Sequence, residues 1–488
     1  MTSRFQGGIF GSGNECYVER DADGGSANPC WSRSRGTTRC LLGGLVMSRL
    51  SRRELLAAGG GVTLAGLLAG CGSPVGSSLT GAQPRTADVI FWHLFGGGDG
   101  KNMTTMVDSF QQSSGRSVEA TLLSWGNPYY TKLALAASSG RPPDVGIAHL
   151  SRLPLLARAG LLEPIGDQFQ AAGITQDKFT PAAWDKATVD GTTYDVPLDT
   201  HPFVLFYNTA LAKKAGLLTD AGDRLKPMHG ADDFLNALKA VKDAGGGDFA
   251  AIATITADPS TCWRFFSMIY SGLAGPIVSE LGTKVTIDRK AMEQTFAFMQ
   301  SLTGPQKLMP NTATNTTTTT LFSQGKVGFL FDGVWQIPTY RGVKGLEFNV
   351  EPFPPLLGSK PVAYADSHSL VIPKSSARPA QRNDDAVLFI KGLLDQSLTW
   401  ADGGHVPAWL PVQKSEKFLQ LKPQSNYTQA AFDAVYDPVA WYTGAGSDFQ
   451  TAMGSVVASV LAGGTSPADG VAAMESSVTN FASARSPI

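Results

Sequence analysis

Apolar and polar positions alternate in blocks along the chain from residue 88 onward. Residues 88–95 form a nearly continuous apolar run, which predicts a buried β-strand ended by the glycine-rich stretch 96–100. Apolar residues then recur at helical spacing, so we expect an amphipathic helix capped by Asn102 or Thr104. The apolar face of this helix consists of Met103, Met106, Val107 and Phe110.

The same succession of short apolar runs and helical patterns continues to the end of the chain. The further segments that predict strands are 118–123, 145–148, 204–208, 249–256, 327–331 and 369–372. The segments that predict helices are 129–137, 153–159, 210–215, 231–244, 291–302, 386–394 and 454–461. The threonine-rich run 311–320 predicts either an exposed loop or a helix cap, since threonine caps helices but extends them poorly. Strands that alternate with helices predict an α/β fold with parallel sheets covered on both faces.

Residues 47–71 have the layout of a secretory signal: a basic start, the pair Arg52 and Arg53, a short apolar run, and small residues before Cys71. The apolar run 55–70 is shorter than the roughly 20 residues that a membrane span needs, and glycines interrupt it. Around the paired arginines the sequence resembles a twin-arginine export signal. Residues 68–71 resemble a bacterial lipobox, which predicts cleavage before Cys71 and attachment of lipid to that cysteine.

A signal belongs at an amino terminus, so the 46 residues before Met47 are interpreted as a doubtful extension. The spacing of Cys16, Cys30 and Cys40 in this extension fits no zinc pattern. Residues 71–87 are rich in Ser, Gly and Pro, which predicts a flexible linker between the lipid and the folded body.

Composition narrows the classes of function. Residues 71–488 hold 32 basic and 36 acidic residues, a net charge of −4, so nothing favours a nucleic-acid partner. Only Cys71 and Cys262 remain in this part, and with Cys71 lipidated no internal disulfide is expected. Cys262 is expected to be a buried small apolar residue.

Six short motifs in order resemble the extracellular solute-binding proteins of bacterial ABC importers, in the family related to maltodextrin-binding protein. Each motif alone is weak, but together they extend over about 400 residues. They are 90–93, 139–145, 159–165, 194–197 with 205–208, 322–329 with 332–335, and 370–373 with 386–394.

This resemblance implies a periplasmic-binding-protein-like fold in which two α/β lobes are joined by three crossings. Ligand binds in the cleft and the lobes close over it by a hinge motion. We expect residues 88–199 and 328–372 in lobe 1, and residues 200–327 and 373–488 in lobe 2.

The same resemblance places several loops at the cleft and supplies the candidate ligand-binding residues. They are His93, Asp99, Trp125, Asn127, Tyr129, His149, Ser151, Arg152, Asp199, His201, Trp263, Asp332, Gly333, Trp335, Asp366, His368, Gly404, His405 and Trp409. Trp125 and Trp409 fit either a cleft or a surface position, whereas Trp92, inside a strand, fits the core. No pair of histidines has a short metal-ligand spacing, so neither a metal site nor a cofactor is predicted.

The resemblance implies a binding lipoprotein that captures a mono- or oligosaccharide, amino sugars included, and delivers it to an ABC permease. It also implies a monomer, tethered to the membrane by lipid, without catalytic activity. A glycerophosphodiester is the alternative ligand, but phosphate favours convergent basic groups, and the candidates include Arg152 as their only arginine beside several aspartates. A secreted hydrolase is the alternative from another class; the sequence lacks the Gly-x-Ser-x-Gly elbow of serine hydrolases, and opposed carboxylates of a glycosidase cannot be paired from sequence.

Overall fold

The computed structural model describes residues 86–486, apart from residues 246, 257 and 377. The predicted export signal, the extension 1–46, Cys71 and most of the linker lie outside the described residues. Within the described residues, no helix combines the length and the hydropathy that crossing a bilayer requires.

The strands are short except for β7. In chain order they are β1 (Val89–His93), β2 (Val118–Leu122), β3 (Val145–His149), β4 (Thr188–Val189), β5 (Thr192–Thr193), β6 (Asp195–Pro197), β7 (Asp199–Asn208), β8 (Ala251–Ile252), β9 (Val278–Ser279), β10 (Lys284–Val285), β11 (Phe329–Gly333), β12 (Phe348–Glu351), β13 (Ala363–Asp366), β14 (His368–Val371), β15 (Val406–Pro407) and β16 (Ala434–Val435).

Helices connect and cover these strands. They are α1 (Gly97–Ser114), α2 (Asn127–Ser138), α3 (Leu153–Arg158), α4 (Asp167–Ala171), α5 (Pro181–Ala187), α6 (Thr209–Lys214), α7 (Ala231–Gly245), α8 (Pro259–Ser271), α9 (Arg289–Thr303), α10 (Asn315–Ser323), α11 (Ile337–Arg341), α12 (Ala380–Asp395), α13 (Ser397–Asp402), α14 (Leu410–Gln413), α15 (Glu416–Gln420), α16 (Asp448–Leu461) and α17 (Pro467–Ser483).

The first lobe is built on a sheet of order β2-β1-β3-β14-β6. The three N-terminal strands are parallel, as their alternation with helices predicts, and β14 runs antiparallel to β3 and β6. Helices α1 and α12 pack over β1, where Phe389 contacts both Phe91 and Phe110 at ring-centroid distances of 5.1 Å.

The second lobe is built on a sheet of order β16-β13-β7-β11-β8, and β12 and β15 also pair with β7. All ten residues of β7 are buried, which is expected of a strand that pairs on both edges and is covered on both faces. Helices α8, α9, α16 and α17 pack against one another beside this sheet and enclose the lobe's aromatic core.

The chain passes directly between the two sheets at Leu198, from β6 to β7, and at Ser367, from β13 to β14. The sheets divide the chain differently from the expected lobe boundaries. β11, β12 and β13 belong to the second sheet rather than the first, whereas α12 and α13 pack on α1 of the first lobe. An apolar pattern identifies a strand, but it does not identify the strand's hydrogen-bonded neighbour.

Several local predictions also need correction. The helix α1 begins at Gly97, with Gly96 as its N-cap, and not near Asn102 or Thr104. By contrast, the helix-cap alternative for the threonine-rich run 311–320 is confirmed, because Thr314 caps α10 by accepting a hydrogen bond from the amide of Thr317. The predicted strand 249–256 is longer than the observed strand β8, which has only two residues. The long helices α8 and α17 were not predicted.

Candidate functional site

A cavity of about 510 Å³ lies between the two lobes, close to the points where the chain crosses between the sheets. Small-molecule sites commonly have volumes of this order. Both lobes contribute to its wall, which consists of Leu94, Phe95, Gly96, Gly97, Gly98, Asp99, Trp125, His149, His201, Asp258, Arg264, Trp335, Thr339, Tyr364, Asp366, His368, Ala445 and Gln450.

The structure brings together only part of the predicted site. The predicted residues that line the cavity are Asp99, Trp125, His149, His201, Trp335, Asp366 and His368. The predicted residues that do not line it are His93, Asn127, Tyr129, Ser151, Arg152, Asp199, Trp263, Asp332, Gly333, Gly404, His405 and Trp409.

Four of the residues outside the cavity wall instead contribute to the packing and hydrogen bonding of the lobes. Trp263 is 1% exposed and donates through Nε1 to Asp437 at 2.7 Å. Trp409 is buried against Phe179. The Tyr129 hydroxyl donates to the carbonyl of Trp92 at 3.1 Å and accepts from the amide of Ile147 at 2.9 Å, so it joins β1 to β3. Burial of His93 lowers its pKa to about 4, and its Nδ1 accepts from the amide of Phe95.

Asp199 is the centre of a buried polar cluster beneath the cavity. It is the first residue of β7, and its carboxylate lies 3.0 Å from Nδ1 of His201 and 2.8 Å from Nδ1 of His368. The same carboxylate accepts from the indole of Trp400 at 2.5 Å and from the amide of His368 at 3.0 Å. Burial would raise the pKa of Asp199, but the surrounding imidazoles hold it well below its usual value. The carboxylate is therefore ionised and fixed.

His405 extends this cluster toward α1. Its Nε2 lies 3.1 Å from Oδ1 of Asp99, in the first turn of α1, and its Nδ1 lies 3.3 Å from Oδ2 of Asp199. Burial would lower the pKa of His405, but the two carboxylates raise it overall. The residue thus links the cavity wall to the strand that crosses between the lobes.

The cavity histidines His149 and His201 are neutral. Burial, as the largest influence, lowers the pKa of His201 to about 3 and that of His149 well below its usual value. The Tyr130 hydroxyl accepts from the amide of His149, so its own proton is donated to Nδ1 of that ring at 2.7 Å. This assignment leaves the Nε2 of His149 protonated and able to donate.

Direct contacts join the lobes along one side of the cavity. The hydroxyl of Ser151, after β3, donates to Asp366 of β13, and Arg152 donates through Nε to the carbonyl of Ala445 at 2.8 Å. Asn127 donates to Asp448 at 2.9 Å. A Cβ on Gly446 would lie 2.7 Å from Cα of Gly126, so this approach requires glycine. Asn127, Ser151 and Arg152 therefore hold the lobes together outside the wall.

Arg264 and Trp335 are partly buried side chains of the second-lobe wall. The guanidinium of Arg264 lies 4.9 Å from the ring centroid of Trp335, a cation–π contact. The indole packs over Gly333, where an added Cβ would lie 2.0 Å from it, which explains the glycine at that position. We call these two side chains the arginine–tryptophan pair; Trp125 lies on the first-lobe side and is 45% exposed.

The pKa values of two buried carboxylates on the second-lobe side of the cavity shift in the opposite direction to that of Asp199. Burial raises the pKa of Asp366 to about 6 and that of Asp332 to about 7. Asp332 accepts from the amide of Gly333 at 2.7 Å and lies behind the wall. Gly404 is required for close packing, since a Cβ there would lie 2.1 Å from the carbonyl of Val334.

Sequence reasoning missed the polar residues Asp258, Arg264, Thr339, Tyr364 and Gln450. Arg264 directly follows Trp263, but the turn of α8 buries the tryptophan and leaves the arginine at the cavity. An Asp-Pro pair before an apolar segment, here Asp258 and Pro259, is the signal that predicts such a helix start. Tyr364 and Gln450 are fixed by buried Asp437, which no local pattern indicates.

Comparison with known proteins agrees with this architecture. Residues 105–418 match the family model described as bacterial extracellular solute-binding protein. No curated protein sequence matches the chain.

Several solved structures share the fold at low sequence identity. A solute-binding protein of an ABC transporter from Thermotoga lettingae, bound with alpha-D-tagatose, is 22% identical with a TM-score of 0.66, over 81% of this chain and 99% of its own. The GacH receptor of Streptomyces glaucescens, solved unliganded and with acarbose, is 19% identical with a TM-score of 0.65, over 80% and 97%.

The sugar-binding protein MalE of Xanthomonas citri is 20% identical with a TM-score of 0.67, over 81% of this chain and 97% of its own. The fold is therefore the two-lobed α/β fold of these proteins. Because the family match covers more than half of its length, the chain belongs to the bacterial extracellular solute-binding proteins.

Proposed function

We propose that this protein binds a sugar, a mono- or oligosaccharide or an amino sugar, and delivers it to the membrane permease of an ABC importer. The observation that carries the proposal is the composition of the cavity wall. The indoles of Trp125 and Trp335 stand there among three carboxylates, Asp99, Asp258 and Asp366, and neutral imidazoles.

These groups suit the two kinds of surface on a sugar. Indole faces stack on the C–H patches of the ring, and paired carboxylate and imidazole groups bond its hydroxyls. The cavity lies between two lobes, so closure removes water and strengthens each of these hydrogen bonds. The solved relatives bound to tagatose and acarbose support the same class of ligand.

The wall's charge disfavours a glycerophosphodiester. Arg264 is the only arginine among the lining residues, and it already lies against Trp335. Three carboxylates face the same space and would repel a phosphate. Phosphate recognition relies on converging cations or helix-start amides, and at the start of α1 the carboxylate of Asp99 already occupies the first turn.

We also propose how the protein is exported and attached to the membrane. The protein is exported through its twin-arginine signal, lipidated at Cys71, and held at the outer face of the cytoplasmic membrane as a monomer. It binds its ligand without chemical change. The family's extracellular description supports export, and the sequence of residues 47–71 supports the anchor.

A thermal-shift screen tests the ligand class. Residues 72–488 are mixed with monosaccharides, disaccharides, amino sugars and glycerophosphodiesters, since a ligand that binds only the folded state raises the melting temperature. We expect a shift with one sugar class that Trp335→Ala strongly reduces at the same ligand concentration. Trp441→Ala, a half-buried tryptophan away from the cavity, is the matched control and keeps the shift. A shift with glycerophosphodiesters alone contradicts the proposal.

A further inference from the structure

Three of the chain's six histidines lie with one aspartate in a buried cluster. His201 and His368 also line the cavity, but the proposed sugar site does not explain why Asp199 and His405 lie behind them. Asp199, His201, His368 and His405 each offer one ligand atom, and these four atoms lie within 4.8 Å of one another. All four residues are buried, and Asp199 and His405 have no exposed surface. We call these four residues the histidine cluster.

The four candidate ligand atoms are close enough to surround one ion, although the largest separation among them reaches 4.8 Å. Nδ1 of His201, His368 and His405 lie 3.0, 2.8 and 3.3 Å from the Asp199 carboxylate oxygens. Bonds of about 2.0–2.1 Å at tetrahedral angles separate neighbouring zinc ligands by about 3.4 Å. A movement that brings the most distant atoms of the cluster from 4.8 Å to about 3.4 Å therefore opens a position for one ion.

His405 supplies an independent reason to expect a cation. Its Nδ1 is buried and makes no hydrogen bond, although it lies 3.3 Å from Oδ2 of Asp199. Its Nε2 is directed at the Asp99 carboxylate, which only accepts. If Nε2 carries the ring's single proton, a lone pair on Nδ1 faces a carboxylate oxygen. Such an arrangement needs a positive species between the two atoms, either a second ring proton or a metal ion.

The surroundings have the organisation of the outer shell of a metal site. Asp99 orients the ring of His405 from the far side, and the indole of Trp400 donates to Oδ2 of Asp199. Partners of this kind fix the ring orientation and ligand basicity of metal-bound histidines. Exposed histidines without partners lack this support.

We propose that the histidine cluster is a binding site for one divalent transition-metal ion of the zinc type. Three imidazole nitrogens and one carboxylate oxygen suit zinc, cobalt or nickel better than calcium or magnesium, which prefer oxygen ligands. Asp199 and His201 lie on β7 of the second lobe and His368 on β14 of the first. An ion held by these strands joins the two lobes where they cross, directly beneath the cavity.

Metal titration of the intact, purified protein tests this proposal without any sugar. The protein is stripped with a chelator, dialysed and titrated with Co²⁺ by absorption spectroscopy and with Zn²⁺ by calorimetry. We expect one equivalent of either ion, and a Co²⁺ spectrum typical of tetrahedral coordination. His405→Gln, which removes one ligand, is expected to weaken binding at least 100-fold. His229→Gln changes an exposed histidine and serves as the matched control with unchanged binding.

A second variant keeps the test valid if His405→Gln does not fold. Asp99→Asn keeps all four ligands but alters the orienting partner of His405, and we expect a 10- to 100-fold loss of affinity. Binding of less than a tenth of an equivalent by the wild-type protein contradicts the proposal. Equal binding by wild type, His405→Gln and Asp99→Asn also contradicts it, and a second proton on the ring of His405 then accounts for the arrangement. Because the probe is the metal alone, these results do not depend on the ligand class of the cavity.

Discussion

The histidine cluster and the arginine–tryptophan pair border the same cavity but are built in opposite ways. The cluster is buried and its groups are fixed by hydrogen bonds to one carboxylate. The pair is only partly buried, and its members meet in a cation–π contact of 4.9 Å, while the indole also packs over Gly333 and meets the edge of His201 at 5.9 Å. A fixed group contributes to stability and pre-organises the site, whereas a partly exposed group can adjust to the ligand. We therefore expect cluster variants to affect folding first, and pair variants to affect binding first.

We expect the largest effect on stability from removing the carboxylate of Asp199 at the centre of the histidine cluster. Asp199→Ala leaves His201, His368 and Trp400 without their acceptor, so we expect a loss of about 3–5 kcal/mol in the free energy of unfolding. Urea denaturation followed by circular dichroism measures this change. Asp395→Ala, which breaks an exposed pair with Lys391, is the control and should cost about 0.5 kcal/mol or less. A loss below about 1 kcal/mol for Asp199→Ala means that the cluster does not stabilise the fold.

Asp332 shows what burial does to a carboxylate that lacks the imidazole partners of Asp199. Burial raises its pKa to about 7 in the folded protein, so between about pH 4 and 7 the folded state binds more protons than the unfolded state. Stability from this group is present at low pH and is lost as the pH rises through about 7. We expect Asp332→Asn to be more stable than wild type at pH 8, by up to about 4 kcal/mol.

The measurement for Asp332 is the difference in unfolding free energy between wild type and variant from pH 4 to pH 8. The difference should grow with pH in favour of Asp332→Asn. Asp220→Asn, at an exposed position, is the control with a flat difference. A flat profile for Asp332→Asn shows that the carboxylate is not buried as described.

In the arginine–tryptophan pair, we expect removal of the Trp335 indole to affect binding more than stability. We expect Trp335→Ala to weaken sugar binding by about 10- to 100-fold, because large aromatic side chains dominate contact energies, with about 1–2 kcal/mol lost from stability. Calorimetric titration and denaturation of the same preparation separate the two effects. A large loss of stability with unchanged affinity reverses the roles assigned to the two regions.

The smallest expected effect concerns the planarity of Arg264. Arg264→Lys keeps the charge but loses the flat guanidinium that stacks on Trp335, so we expect a loss in sugar affinity of about 0.5–1 kcal/mol. Arg289→Lys, on the exposed side of α9, is the matched control. An effect as large as that of Trp335→Ala would instead assign Arg264 a direct bond to the ligand.

The sequence predicted what depends on local pattern and failed where distant segments meet. The strands β1 to β3 and the helices between them follow from apolar periodicity, and the order of motifs indicated the two-lobed fold. The glycine run was expected to lie before α1, but α1 begins within it. These glycines bring the backbone of the first turn close to the cavity. A Cβ on Gly98 would lie 2.8 Å from Pro338, which explains the glycine there.

The histidine cluster shows why the site itself was harder to predict. Its members lie at positions 199, 201, 368 and 405, and only the pairing of β7 with β15, together with the crossing into β14, brings them together. Spacing along the chain therefore gave no sign of a metal-binding set. Trp263 and Arg264 show the same limit at one helix, because neighbouring residues point in different directions around α8.

The proposed sugar site is tested by calorimetric titration of wild-type protein, Trp335→Ala and Trp441→Ala with the sugar that gives the largest thermal shift. We expect saturable binding of one sugar per chain, weakened at least 10-fold by Trp335→Ala and unchanged by Trp441→Ala. Absence of binding by every sugar in a folded protein, or equal affinity in all three proteins, would contradict it.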